Sequence, residues 1–295
     1  MTVAAGDQVT RPGHVQYGEL LLGPGTPYRW RQLTGWEDLP GLDSGTVQRA
    51  DAHGAFPGRL LAQARTITLD GLVVRAPRHT IGAVVAALNA GTVPVEDELP
   101  FVAWLDERGP LLAYARATRR AVPAGPGYRL GTITGGAVEW QATDPRRYEL
   151  AERFVSATLP VSEPGLAWPL TWPLSFGSPG STGALSATNA GDAETHPLVE
   201  FRGPVTGPAL TNLATGDVIE YDIPLAAGDV LTIDTLAGTV VLNGTASRIH
   251  TATSRSVPEQ TFTLAPGTTS LIFRAAPGSS DPTASATVRY RSAYW

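Results

Sequence analysis

The sequence predicts a mostly β protein of two domains, an N-terminal β-sandwich or barrel with one short helix and a C-terminal jelly-roll sandwich. Stretches in which polar and apolar residues alternate recur along the chain, for example at residues 65–69 and 230–233. This period of two is typical of half-buried strands. Turn-forming residues separate the stretches, with 32 Gly and 25 Pro spread along the chain. A length of 295 residues fits two domains of roughly 150 residues each.

One amphipathic helix is expected in the first domain, at residues 80–90. Four apolar residues follow the spacing i, i+3, i+4 and i+7 that places side chains on one helix face: Ile81, Val84, Val85 and Leu88. Thr80 is a suitable N-cap, and Gly91 stands where a left-handed C-terminal cap belongs. The apolar stripe predicts a helix of about three turns packed on a sheet.

The remaining first domain, within 1–150, is predicted to contain strands and turns. Residues 101–106 and 111–117 flank Glu107-Arg108-Gly109 and predict a β-hairpin. Residues 36–58 contain many turn residues and are interpreted as a long exposed loop. Asp70-Gly71 predicts either a hairpin turn or a bulge within one strand.

The composition changes between residues 151 and 189, which we predict to be a linker, rich first in Trp and Pro and then in Gly and Ser. Trp168 and Trp172 could stack on sugar rings, but we expect them to pack against a domain. Residues 190–295 alternate again and predict the second domain, in which Asn243-Gly244 is the strongest hairpin signal of the chain.

Composition and motifs argue against several function classes. The net charge of −5 argues against a nucleic-acid partner, and the absence of cysteine excludes disulfides and thiolate metal sites. The chain lacks the Gly-x-Ser-x-Gly and phosphate-loop motifs, and its five histidines are far apart. Glu96-Asp97-Glu98 lacks the spaced oxygen donors of a calcium loop. We therefore predict no enzyme and no catalytic, cofactor-binding or metal-binding residues.

Targeting signals are also not apparent in the sequence. The N-terminus does not have the composition of a signal peptide. The longest uncharged run, residues 165–191, contains three Pro and five Gly, which is incompatible with a membrane-spanning helix. We expect a soluble protein with no membrane partner.

Several short motifs, in this order, resemble siphovirus distal tail proteins. In the first domain they are His53-Gly54-Ala55, residues 65–71, and residues 139–148, where a strand ends in Asp-Pro-x-x-Tyr. Residues 168–174 are similar to a segment of tail proteins in phages of actinobacteria. Further motifs look like the galectin-like C-terminal domain of the family: Asn189-Ala190-Gly191, residues 212–216, Leu242-Asn243-Gly244 and residues 290–295.

The resemblance implies a structural minor tail protein that forms a hexameric ring hub between the tail tube and the host-recognition apparatus. It would be made in the host cytoplasm and located in the virion, at the tail tip. Its partners would be other copies of itself, the tail tube protein and the tail-associated or receptor-binding proteins. The alternative is a carbohydrate-binding adhesin that uses the galectin-like module. Binding of simple sugars is expected to be weak, because the aromatic residues of this module lie in strands that predict core packing.

A subunit interface of the ring is predicted around the hairpin 101–117. Its arms carry more apolar residues than one buried face requires: Phe101, Trp104, Leu111, Leu112 and Tyr114. We predict Trp104, Tyr114, Arg116, Arg119 and Arg120 as interface residues. The arginines could instead form a basic patch for nucleic acid, but we favour ion pairs with Glu96 and Glu98 of a neighbouring copy, since arginine binds carboxylates in a bidentate manner.

Overall fold

The computed structural model describes residues 3–161 and 180–295. Two compact units are present: unit 1 comprises Met1–Leu150 with Tyr294 and Trp295, and unit 2 comprises Ala151–Ala293. Their paired strands are antiparallel, so the predicted mostly β class is confirmed. Trp168 and Trp172 lie outside the described residues.

The first thirteen strands and both α-helices of the described chain belong to unit 1. In chain order they are β1 (His14–Tyr17), β2 (Leu20–Leu22), β3 (Tyr28–Arg29), β4 (Gln32–Thr34), β5 (Leu42–Asp43), β6 (Val47–Gln48), β7 (Ala55–Phe56), β8 (Leu61–Ala62), β9 (Arg65–Arg75), α1 (Ile81–Gly91), β10 (Leu99–Trp104), β11 (Pro110–Ala121), α2 (Pro126–Leu130), β12 (Thr132–Ala142) and β13 (Arg147–Glu149).

Most strands of unit 1 form one ten-stranded sheet that nearly closes into a barrel. Its main order is β2-β1-β10-β11-β12-β9-β3, β4 also pairs with β9, and β13 pairs with β11. The two end strands approach each other, since the Gly23 amide donates to the Tyr28 carbonyl at 2.7 Å. Near-closure leaves few unpaired backbone groups at the ends of this sheet.

Aromatic rings fill the core of unit 1. The ring of Phe101 lies 5.1 Å from that of Trp140 and 5.2 Å from that of Trp36, and Tyr17 lies 5.7 Å from Trp140. All four side chains are buried. Contacts of this geometry add about 0.5–1.5 kcal/mol per pair to the burial of the rings.

Helix α1 packs on this core as its spacing predicts, but its ends differ from the expectation. The Thr80 side chain makes no capping hydrogen bond to the helix, and Gly91 is its last helical residue, followed by Thr92. A left-handed cap at Gly91 was therefore the wrong prediction. A Cβ at Gly91 would lie 2.9 Å from the Cβ of Leu20, so this glycine permits close packing of the helix on β2.

The bulge alternative at Asp70-Gly71 is the correct one. Asp70 pairs with Ala137 and Leu72 with Gly136, so Gly71 is an extra residue within β9. Its φ of +65° lies in the left-handed region, which favours glycine. The strand continues through the bulge to Arg75.

The other strands belong to unit 2, except that the last one returns to unit 1. They are β14 (Arg153–Thr158), β15 (Ala184–Asn189), β16 (Leu198–Arg202), β17 (Val205–Thr206), β18 (Ala209–Asn212), β19 (Val218–Glu220), β20 (Pro224–Leu225), β21 (Val230–Asp234), β22 (Thr239–Leu242), β23 (Ala246–Ser247), β24 (Gly267–Arg274), β25 (Ser285–Tyr290) and β26 (Ala293–Tyr294), with 3₁₀ turns at Ile249–Thr251 and Glu259–Thr261. Strand β26 pairs with β13.

Two segments of the predicted linker are strands of unit 2. Strand β14 pairs with β25 along its whole length, and β15 pairs with β24. Strand β15 alternates strictly between exposed and buried residues, but its buried positions hold Leu185, Ala187 and Asn189, and β14 ends in Ser156, Ala157 and Thr158. The small side chains obscured the period in the sequence.

Unit 2 is a two-sheet sandwich. The sheets run in the orders β14-β25-β16-β21-β22-β23 and β15-β24-β18-β19. Phe201 of the first and Phe273 of the second are buried and stack with ring centroids 5.7 Å apart. The predicted turn at Asn243-Gly244 is present, and Asn243 has the positive φ of 51° that such a turn requires.

The sandwich core provides a test of this packing. Phe273→Ala should lower the free energy of unfolding of unit 2 by about 3–5 kcal/mol, because it leaves a cavity between the sheets. Phe154→Ala is the matched control, since Phe154 of the same unit is 72 % exposed, and its effect should stay within about 0.5 kcal/mol. Urea titrations followed by far-UV circular dichroism measure both, and equal effects of the two substitutions would contradict the assignment of the core.

Candidate assembly surfaces

The predicted interface hairpin lies in the centre of the sheet of unit 1 rather than at an edge. Strands β10 and β11 pair with each other and are flanked by β1 and β12. Phe101 and Leu112 are almost fully buried, and Leu111 is 8 % exposed. Three of the five apolar residues that suggested a free surface are therefore covered within unit 1, whereas Trp104 and Tyr114 keep part of their surface exposed.

The turn of this hairpin is also bound within its own unit. Arg108 pairs with Asp106 at 2.5 Å and with Glu37 at 3.1 Å, and Glu37 also accepts from Arg147 at 2.7 Å. The ion pairs raise the pKa of Arg108 further above its ordinary value. Since Arg108 and Glu37 are each about half exposed, these contacts orient the turn more than they stabilise the fold.

The two predicted aromatic interface residues have different surroundings. Trp104 is partly buried, and its indole nitrogen donates to the Asp106 carbonyl at 2.6 Å. Tyr114 is 43 % exposed on β11, beside the partly buried Arg116. Tyr114 therefore stays available for a partner, whereas Trp104 also has a role in the hairpin.

Arg120 makes contacts at the end of helix α1. One guanidinium nitrogen donates to the carbonyls of Asn89 and Thr92 at 3.0 and 3.1 Å and to the Thr92 hydroxyl at 2.7 Å. A cation suits this position, because the last helical carbonyls carry partial negative charge. Glu98, a predicted ion-pair partner, accepts from the amide of Thr143 at 2.7 Å. Arg119 is exposed. A role of Arg116, Arg119 and Arg120 in the subunit interface stays a prediction.

The most apolar exposed feature of unit 1 is a long β-arm, residues 39–62, most of which lies in the loop predicted at residues 36–58. Its strands pair only in two short ladders, β5 with β8 and β6 with β7. Six large apolar side chains of the arm are exposed: Leu39, Leu42, Val47, Phe56, Leu60 and Leu61. In the sequence, these residues are separated by turn signals at Pro40-Gly41 and Pro57-Gly58, which hid the strand pairs.

A buried arginine fixes the root of the β-arm. The guanidinium of Arg65 donates to the carbonyls of Gly35, Trp36 and Asp38 at 2.8, 3.0 and 2.7 Å, and to that of Pro145 at 2.7 Å. Asp38 precedes the arm and Arg65 follows it. Both ends of the arm are therefore held by one side chain, which is itself 1 % exposed.

The electrostatics of this root follow from burial. Loss of water contact, and secondly the neighbouring charge of Arg147, lower the pKa of Arg65 to about 10. The guanidinium therefore remains charged at neutral pH, where the four carbonyls act as its acceptors. Arg147 lies 5.7 Å over the Trp36 ring, and its guanidinium also donates to the Trp295 carbonyl.

The Asp-Pro-x-x-Tyr motif closes on itself next to this root. The Asp144 carboxylate accepts from the Tyr148 hydroxyl at 2.5 Å and from Arg146 at 2.8 Å. Burial, and secondly the negative charge of Asp144, raise the pKa of Tyr148. The motif thereby fixes the turn that places the Pro145 carbonyl against Arg65, which gives it a structural role.

Within residues 3–161 and 180–295, no group of three or more His, Asp or Glu residues is placed to hold a metal ion. Over the same part of the chain, no helix has the length and apolar character needed to cross a membrane. In unit 2, the aromatic residues Phe201, Phe273 and Tyr290 are buried, as their strands predict.

Comparison with known proteins gives a family for the C-terminal part. A model of the siphovirus-type tail component, C-terminal domain, matches residues 190–294, which is nearly the whole described sandwich beyond β15. No curated protein matches the sequence of this chain.

A likeness to a solved structure extends over nearly the whole chain. The Dit protein (gp 19.1) of SPP1, described as a paradigm of the hub adsorption apparatus in phages that infect Gram-positive bacteria, superposes with a TM-score of 0.66 at 13 % identity, over 96 % of this chain and 99 % of that one. The baseplate of phage P2 in its activated conformation with Ca contains a chain with a TM-score of 0.49 at 12 % identity, over 92 % and 93 %. At 13 % identity, the likeness to the SPP1 protein indicates a shared fold alone.

The root of the arm yields a second test. Arg65→Met should cost about 3 kcal/mol or more of folding free energy in unit 1, because four carbonyls lose their donor in a buried place. Arg65→Lys should recover only part of this, since one ammonium group does not reach acceptors on both sides. Arg78→Met, at an exposed position, is the control and should have little effect. Urea unfolding followed by tryptophan fluorescence reports on the aromatic core, and an unchanged midpoint for Arg65→Met would exclude the clamp.

Proposed function

We propose that this chain belongs to the siphovirus distal tail protein family and forms the ring-shaped hub that joins the tail tube to the host-recognition apparatus. The observation that carries the proposal is the family match of residues 190–294 together with a likeness of fold that spans 96 % of the chain. A structural tail component acts through the surfaces that bind its neighbours rather than through a reaction centre. Unit 1 exposes such a surface on the β-arm, where six large apolar side chains are exposed.

The proposed assembly is a homohexamer built by unit 1 in the tip of the virion tail. Its neighbours are the tail tube protein on one side and tail-associated or receptor-binding proteins on the other. Contacts between unlike surfaces of identical subunits generate a closed ring when the rotation per subunit divides a full turn. The nearly closed sheet of unit 1 supplies a rigid body for such a ring.

The role is proposed to be non-enzymatic. Histidines and carboxylates are the usual general acids and bases. In unit 2, carboxylates such as Glu259 form hydrogen bonds within the fold. Glu259 accepts from the Tyr221 hydroxyl at 3.1 Å in the interior. Unit 2, for which a galectin-like fold is proposed, is assigned as a docking surface for another tail protein.

Negative-stain electron microscopy of the purified full chain is the direct test of the ring. Six-fold symmetric particles with a central opening are the expected result, and light scattering should give a mass near six times 31.0 kDa. A strictly monomeric protein at all concentrations, also in the presence of tail tube protein, would refute the hub.

Tyr114 tests the predicted seam. Because its side chain is 43 % exposed, Tyr114→Ser should leave the unfolding midpoint nearly unchanged while it weakens assembly. Trp104→Ser should weaken both, since it also removes the hydrogen bond to Asp106. Sedimentation velocity over a range of concentrations compares the two variants, with Leu213→Ser in unit 2 as a control of similar exposure. If the Tyr114 variant still forms the ring with unchanged stability of assembly, Tyr114 does not belong to the subunit interface.

The alternative function, sugar binding by unit 2, can be tested separately. Sugar-binding sites generally present an aromatic face to the sugar ring. Phe201, Phe262 and Phe273 are fully buried, and among the described aromatic residues of unit 2 only Phe154 is exposed, without a second exposed ring in that set. We expect millimolar monosaccharides to leave the backbone NMR signals of unit 2 in place. Shifts grouped around one surface cluster would favour the adhesin alternative.

A further inference from the structure

One turn of unit 2 carries a pair of residues with reactive chemistry of its own. Asn243-Gly244 is the only place in the sequence where glycine follows asparagine, because the other three asparagines precede alanine or leucine. In such a pair, the backbone nitrogen of the glycine can attack the side-chain carbonyl carbon of the asparagine. Glycine has no side chain to hinder this approach.

The reaction of this pair is deamidation, which proceeds in two steps and consumes one water molecule. The Gly244 nitrogen forms a bond to the Asn243 Cγ and gives up its proton, and the side-chain nitrogen leaves with that proton as ammonia. Water then opens the five-membered imide at one of its two carbonyl carbons. Opening at one carbon gives aspartate, and opening at the other gives isoaspartate, in which the backbone runs through the former side chain.

The turn gives water access to both reacting groups. Asn243 and Gly244 are exposed, and a Cβ added to Gly244 would meet no atom of the described residues within 4 Å. By contrast, Asn189 and Asn212 are buried and hydrogen-bonded in the interior of unit 2. Sequence and exposure thus single out Asn243 as the reactive asparagine.

The side chain of Asn243 is nevertheless held by the neighbouring strand. Its Oδ1 accepts from the Val230 amide at 2.9 Å, and its Nδ2 donates to the Asp229 carboxylate at 2.9 Å. The backbone N–H of Asn243 also donates to the Val230 carbonyl, at 2.8 Å. The side-chain amide therefore lies beside its own backbone N–H, toward β21. Attack by the Gly244 nitrogen requires the side chain to rotate, which breaks both of its hydrogen bonds.

Asp229 is itself fixed by the turn that precedes β21. Its second carboxylate oxygen accepts from the Ala226 amide at 2.9 Å. The hydrogen bond from Asn243, and secondly the one from Ala226, lower the pKa of Asp229, so the group is ionised at neutral pH. Hydrogen bonds to ionised groups are stronger than neutral ones, although contact with water weakens this one. Asp229 is the side chain that restrains the Asn243 amide.

Deamidation would replace this contact with repulsion. An aspartate at position 243 has no N–H to donate, and its negative charge would lie next to the Asp229 carboxylate, where like charges repel. Isoaspartate would in addition lengthen the backbone within the turn. Either product therefore weakens the link between the turn before β21 and the turn after β22.

We propose that Asn243 is a deamidation site, that its hydrogen bonds to Val230 and Asp229 slow the reaction in the folded protein, and that conversion to aspartate breaks the link between the two turns. This modification site goes beyond the proposed hub and does not depend on it.

Peptide mapping by tandem mass spectrometry measures the rate of conversion in the purified full chain, kept in mildly alkaline buffer. The native chain should convert about tenfold more slowly than the same chain unfolded in guanidinium chloride, because the hydrogen bonds must open first. Asp229→Ala should raise the native rate about threefold or more and leave the unfolded rate unchanged. Asp281→Ala is the matched control, since Asp281 is an exposed carboxylate that accepts from the Thr283 amide of a different turn at 2.8 Å.

Circular dichroism and the unfolding midpoint show whether each variant is folded. If Asp229→Ala does not fold, Asp229→Asn takes its place, because it keeps an acceptor oxygen without the charge and should give a smaller increase. Equal rates in the native and unfolded chains overturn the proposal, as does a native rate that neither Asp229 variant raises. An unfolded chain in which Asn243 stays unmodified also overturns it.

The consequence of the reaction is tested with Asn243→Asp, which has the sequence of the direct product. It should lower the urea midpoint of unit 2 more than Asn243→Gly does, because glycine tolerates the positive φ of this position and adds no charge. Circular dichroism during a urea titration at neutral pH compares both variants with the unchanged chain. An Asn243→Asp midpoint equal to or above that of Asn243→Gly overturns the proposed effect on the two turns.

Discussion

The guanidinium of Arg65 joins two segments of unit 1 that lie just beyond the ends of paired strands, one after β4 and one after β12. Its four hydrogen bonds reach the chain before the β-arm, through Gly35, Trp36 and Asp38, and the turn after β12, through Pro145. A planar fork with five donors suits carbonyls on two sides. Its burial is costly, which the lowered pKa reflects, but the carbonyls would be equally costly without a donor. The Arg65 guanidinium and the four carbonyls thus stabilise each other in the interior. Their hydrogen bonds determine where the β-arm leaves the sheet.

The ten-stranded sheet and the β-arm of unit 1 differ in how many of their backbone N–H and C=O groups are paired. The ten-stranded sheet nearly closes between β2 and β3, so that few of its N–H and C=O groups lack a partner strand. The arm, in contrast, exposes two short ladders with free edges. The fold thus combines a nearly closed main sheet with an arm whose strand edges stay open and whose large apolar side chains are exposed.

Sequence patterns predicted the elements whose contacts are local. The spacing of Ile81 and Leu88 located helix α1, and Asn243-Gly244 located a turn, because both signals depend on neighbours in the chain. Gly91 misled the prediction, since its role is a contact with Leu20 some seventy residues away in sequence. The hairpin 101–117 was assigned too much free apolar surface for the same reason. Strands that cover its second face are distant in the chain, and composition does not reveal them. The clamp at Arg65 likewise gave no signal, because its acceptors are backbone carbonyls and carry no sequence mark.

The likeness to SPP1 Dit is a likeness of fold, not of particular residues. At 13 % identity over 96 % of the chain, the two proteins share a fold although most of their residues differ. Core positions such as Phe201 and Phe273 tolerate other apolar residues of similar volume, so the fold persists while the sequence changes. Contacts to partners lie on exposed positions and are free to change together with the partner. Recognition in this protein is therefore to be sought on exposed residues that its own packing leaves unexplained, and the β-arm is the largest such group in unit 1.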